Sequence, residues 1–119
     1  MQATIRQFAT FGYQAGTCMH DSTLQVDICY LTLRGATTVE LIHQHNIHSL
    51  EVQLLKAYGV LPYHLAYEAT DFDNDCADLD ARGYERLFNP VRVSVLNNIR
   101  ICYFHHPAIG YIELLEQNH

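Results

Sequence analysis

Alternation of apolar and polar positions is clearest in Leu61-Pro62-Tyr63-His64-Leu65-Ala66-Tyr67-Glu68, where the two-residue period and the aromatic content predict a strand. Asp71-Phe72-Asp73 then opens a helix running to about Arg82. The acids suit its N-terminal dipole, and Gly83 is a good residue just past its end. Tyr84 to Phe88 reads as a short strand, broken by Asn89-Pro90. Val91 to Leu96 is extended or loop, Asn97-Asn98 turns the chain, and Ile99–Phe104 and Tyr111–Glu116 form a closing pair of strands. The unit is strand, helix, then three strands. Upstream, the same order is predicted from a helix over Ala3–Phe11, with strands at Tyr13–Met19, Gln25–Leu33 and Thr37–Ile42. A connecting helix follows over Ser49–Tyr58, with Leu50, Leu54 and Leu55 on one face, Ser49 as N-cap and Gly59 as stop.

The likeness of the two halves extends to identities. Ile28-Cys29-Tyr30 recurs as Ile101-Cys102-Tyr103, and Val39-Glu40-Leu41-Ile42 as Ile112-Glu113-Leu114-Leu115, both displaced by 73 residues. Gln44 and Gln117 keep that displacement, and Phe11-Gly12-Tyr13 resembles Arg82-Gly83-Tyr84 at a displacement of 71. Two blocks sharing one offset point to an internal duplication. The same offset applied to the strand around His64 falls before Met1, so the first unit is expected without its opening strand.

The predicted organisation is a single α+β domain over 1–119. It comprises a truncated first unit (1–48), a connecting helix (49–60) and a second unit (61–119).

The charge pattern narrows the partners. Seven Lys and Arg in 119 residues, with a formal net charge of −6, give no basic stripe for nucleic acid. No apolar stretch approaches the length of a membrane span, and the first residues lack a signal-peptide core, so cytoplasm is the expected location. Cys18, Cys29, Cys76 and Cys102 form no CxxC pair, and the reading for them is free thiols.

Glu40 and Glu113 each stand mid-strand between apolar neighbours, at equivalent positions of the repeat. A carboxylate so placed is costly to bury without a partner. One divalent cation, held by carboxylate oxygens and an imidazole nitrogen, accounts for both, with His64 as the imidazole. His43, His45 and His48 form an H-x-H-x-x-H array in a predicted loop, where a polar loop is the ordinary reading and a second metal site the sharper one. His105-His106-Pro107 reads as a turn.

With these segments in view, the chain resembles the vicinal oxygen chelate superfamily, which includes glyoxalases, bleomycin resistance proteins and methylmalonyl-CoA epimerases. The resemblance implies paired βαβββ units forming a cupped, incomplete barrel. It implies His64, Glu113 and Glu40 as ligands of a divalent metal (Zn, Ni, Co, Mn or Mg). The fourth family ligand, a His on the opening strand, has no counterpart here, so an absent metal is equally an expectation. Glu113, Glu40 and Asp27 are the candidate carboxylates for moving a proton alpha to a metal-polarised carbonyl. Three readings stay open: a metal-dependent lyase or epimerase, a non-catalytic small-molecule binding protein of the same fold with a degenerate site, and an internal start within a longer frame. An unpaired strand edge invites a second copy, so a homodimer, with strands exchanged between chains as one form, is expected.

Overall fold

The computed structural model describes residues 1–117; Asn118 and His119, at the end of the predicted second unit, lie outside the described residues. The chain divides into two compact units, Met1–Gly59 and Val60–His119.

The first unit opens with α1 (Gln2–Ala9), followed by β1 (Gln14–Ala15), β2 (Met19–Asp21), β3 (Val26–Thr32), β4 (Val39–Gln44) and α2 (Leu50–Tyr58). β1 and β2 lie along one side of β3 and β4 along the other, all antiparallel. The strand predicted over Tyr13–Met19 is therefore two pieces. Ala15 faces Leu31 but Met19 faces Ile28, so this side carries one more residue than β3 and bulges at Gly16-Thr17-Cys18. α2 is capped as its sequence requires: Ser49 Oγ accepts from the Val52 N–H at 3.3 Å, and Gly59 leaves the helix at φ 77°.

The second unit runs β5 (His64–Ala69), α3 (Phe72–Ala81), β6 (Glu85–Arg86), β7 (Val91–Val93), a 3-10 turn (Ser94–Leu96), β8 (Ile99–His106) and β9 (Gly110–Glu116). β5 pairs parallel with β9; β8 pairs antiparallel with β9 and, on its other side, with β6 and β7. Pairing in β5 begins at His64 rather than Leu61; Pro62 has no N–H to give a ladder. The Asp71 carboxylate accepts from the Asn74 N–H at 3.3 Å and caps α3. Phe72 and Cys76 of α3 pack with Ala69, Cys102, Phe104 and Leu114 into a buried core, flanked by Leu79 and Tyr84. β8 extends to His106, so His105 and His106 end a strand; the turn lies beyond them, where His106 Nδ1 accepts from the Ala108 N–H at 3.0 Å.

The duplication is visible in the hydrogen bonding of each unit taken alone. Cys29 faces Leu41, Tyr30 faces Glu40 and Leu31 faces Val39. Cys102 faces Leu114, Tyr103 faces Glu113 and Phe104 faces Ile112. The displacement of 73 residues thus preserves strand register, not merely residue type. The helix ends repeat too. After α1, the Gly12 and Tyr13 N–H groups return to the Ala9 and Phe8 carbonyls at 3.0 and 3.3 Å; after α3, those of Gly83 and Tyr84 return to Asp80 and Leu79 at 3.2 and 3.0 Å. Gly12 and Gly83 adopt φ 96° and 87°, the left-handed conformation this C-terminal motif needs. The units differ at one edge: β9 lies between β8 and β5, whereas β4 has β3 as its one strand neighbour among the described residues.

Cys29, Cys76 and Cys102 are buried and Cys18 is exposed. Burial pushes the Cys102 thiol up to about 11, and it raises those of Cys29 and Cys76 as well. Arg100, over the Phe72 ring, ties α3 to β9: it donates to both Asp73 oxygens at 2.8 and 3.2 Å and to Glu116 at 2.8 and 3.0 Å.

Candidate metal centre

Side chains alternate across a strand, so register decides which groups meet. In the second unit, Ala66 faces Glu113 and His64 faces Tyr111, which puts His64, Glu113 and Tyr103 on one face of the sheet. α3 covers the other face, through Leu114, Cys102 and Phe104. His64 Nε2 lies 3.5 Å from Glu113 Oε1, with the two side chains only 9% and 5% exposed. The imidazole is held between the rings of Tyr63 and Tyr103, whose centroids lie 4.5 and 5.1 Å from its own.

This separation bears on the chemistry. A charge-assisted hydrogen bond would draw the atoms to about 2.7–2.9 Å, and a buried ion pair recovers its desolvation cost only with excellent geometry. Two ligands at about 2.1 Å from one tetrahedral ion stand about 3.4 Å apart. One nitrogen and one carboxylate oxygen at 3.5 Å fit a shared divalent cation better than they fit each other.

In the first unit, Glu40 is half-buried on β4 opposite Tyr30, the register position that Glu113 holds opposite Tyr103. Asp27 lies on β3 of the same sheet. It pairs across β3 with His43 and His20, and the odd spacing from Tyr30 puts it on the opposite face of this sheet from Glu40. Its carboxylate accepts from His20 Nδ1 and His45 Nε2, each at 2.8 Å, with His43 Nδ1 at 3.8 Å. The hydrogen bond from His20, then that from His45, holds the Asp27 carboxyl below the usual carboxylate range. The structure therefore joins Asp27 to three histidines and does not bring it to the face that carries Glu40. His20 was not read as a partner from the sequence; the cross-strand pairing that reveals it requires the register of β2 against β3. An open hollow of about 400 Å³ beside Asp73, Arg100 and Glu116 holds a guanidinium already satisfied by two carboxylates.

A repeated helix-then-strands unit, preceded by an opening strand in the second half, with carboxylates at matched register positions, is the pattern of paired βαβββ proteins, the vicinal oxygen chelate fold. Comparison makes the assignment specific. Residues 1–103 match the model of the glyoxalase/bleomycin resistance protein/dioxygenase superfamily, and the chain belongs to that superfamily. Among solved structures, methylmalonyl-CoA epimerase from Mycobacterium tuberculosis is similar with a TM-score of 0.82 at 20% identity, covering 99% of this chain and 81% of that one. A Streptomyces coelicolor methylmalonyl-CoA epimerase variant in complex with 2-nitronate-propionyl-CoA gives 0.82 at 22%, covering 100% and 90%. A hypothetical protein from Bacillus halodurans gives 0.82 at 14%, covering 100% and 87%. At these identities the likeness is one of fold. No protein of curated function matches the sequence. No helix among the described residues is long and apolar enough to cross a membrane.

Proposed function

We propose that this chain binds a small carbonyl-bearing molecule through a divalent cation held by His64 and Glu113, and moves the proton alpha to that carbonyl. The observation that carries the reading is the buried His64–Glu113 pair, whose 3.5 Å separation suits common ligation. To these two the family resemblance adds Glu40, on the strength of the repeat alone. When bound, such an ion supplies Lewis-acid polarisation of the carbonyl. The protein's own contribution is positional. Tyr63 and Tyr103 restrict the His64 ring, and β9 presents Glu113 from the middle of a paired strand. A carboxylate of the Glu40/Glu113 set not engaged by the ion is the proton acceptor. Asp27, on the far face of its sheet from Glu40, is left out of that role. The epimerases of similar fold make acyl thioesters and 2-oxo or 2-hydroxy acids the first compounds to test. The family resemblance, and β4 having one strand neighbour among the described residues, support a homodimer.

The test is metal content of the purified chain beside H64A, E113A and E40A, paired with solvent-deuterium exchange at the alpha carbon of candidate substrates. Wild type should retain a dication through gel filtration, and H64A and E113A should each lose one equivalent together with exchange. Unchanged metal content in both variants would remove the reading. A ligand bound tightly without exchange would replace catalysis by sequestration.

A further inference from the structure

We propose that the first unit carries a separate transition-metal site built from His20, Asp27 and His45, with His43 beside it. The scaffold is the sheet register. His20 of β2, Asp27 of β3 and His43 of β4 are direct cross-strand neighbours, so three adjacent strands project them from one face in a row. His45 follows His43 by two residues, and its N–H continues the ladder by bonding to the Gln25 carbonyl at 2.9 Å. The four side chains converge. One donor atom each from His20, Asp27 and His45 lie within 4.8 Å of one another, and the His43 and His45 ring centroids are 4.6 Å apart. An ionised carboxylate can only accept, so His20 Nδ1 and His45 Nε2 each turn an N–H toward Asp27. The two bonds go to different oxygens, Oδ1 and Oδ2, and each 2.8 Å N···O distance is only about half an ångström short of the spacing between two ligands of one tetrahedral ion.

The donor set selects the ion. Two or three imidazole nitrogens with one carboxylate oxygen suit Zn²⁺, Ni²⁺ or Cu²⁺ and disfavour Mg²⁺ and Ca²⁺, which take oxygen. All three histidines are about half exposed, so an ion enters from solvent directly and water can complete its coordination. An ion here would clamp β2 and the end of β4 onto β3, coupling metal binding to the stability of this sheet. His48, the third member of the H-x-H-x-x-H array, is not in the cluster; its backbone N–H bonds to the Asn46 side chain at 3.0 Å in the following turn.

This site shares no residue with His64 and Glu113, and the experiment keeps the two apart. ZnCl₂ is titrated calorimetrically into the full chain carrying H64A/E113A, then into the same chain with H20A/H45A added. The first should bind one zinc and gain thermal stability from it. The second should bind at least tenfold more weakly and gain none. No zinc bound by the first chain, or equal binding by both, would overturn the proposal. If the fourfold variant does not fold, imidazole nitrogen resonances of the H64A/E113A chain decide. Zinc must shift His20 and His45; shifts confined to His48, His105 or His106 refute the site.

Discussion

Phe104 is fully buried against α3, within a cluster that includes Cys102 and Leu114. Truncation there leaves a cavity that its paired strands cannot close, so Phe104→Ala should cost about 3–5 kcal/mol in urea unfolding. Leu65, on β5 of the same sheet but 58% exposed, should change stability by no more than about 0.5 kcal/mol when cut to alanine. An equal response from the two would show that the cluster is not a packed core. The same contrast explains how far single residues could be read from sequence. Glu113 and Glu40 were legible because a charge inside an apolar alternation is anomalous wherever the strand pairs. Asp27 looked similar in Val26-Asp27-Ile28, but its chemistry depends on what lies across the ladder. Period-two patterning gives the faces of a strand and says nothing of its register, so His20 stayed hidden, and His45 was legible in the H-x-H-x-x-H array without its link to Asp27.

Elements carry their own predictions. Ser49→Ala and Asp71→Ala each remove a side-chain acceptor from a helix start, and each should cost about 1 kcal/mol by thermal or urea denaturation. The link between α3 and β9 is electrostatic and has a definite pH sign. Hydrogen bonds from Arg100 hold Asp73 below its ordinary 3.8 and Glu116 below its ordinary 4.5. Groups with depressed folded values stabilise above their unfolded pKa and lose that contribution as pH falls through the folded one. The stability difference between wild type and Arg100→Met should therefore be present at pH 7 and shrink progressively below pH 4.5. A difference independent of pH would assign Arg100 to packing on Phe72 instead. Helix limits were legible because capping residues are local, as at Ser49, Gly59, Asp71 and Gly83. The bulge at Gly16-Thr17-Cys18 was not, because an extra residue in one strand exists only relative to its partner.

For the molecule as a whole, the duplication settles more than any site residue. Both units preserve one hairpin register and one helix-terminating glycine geometry, and superfamily membership follows independently from residues 1–103. The unequal edges have a measurable consequence. Light scattering coupled to gel filtration should give twice the 13.7 kDa chain mass. A monomer at tens of micromolar would mean that the β4 edge is protected some other way.

The distribution of the four cysteines turns the chain into its own reporter. A thiol reagent should modify Cys18 at once, because it is exposed, and then wait. Cys29 can answer only when the first half opens, and Cys76 and Cys102 only when the second does. In mild urea, one shared rate for the three slow sites would reveal a chain that melts as a single body. Two rates would show halves that come apart independently, a sequel to their origin as copies, read in one reaction without any added label.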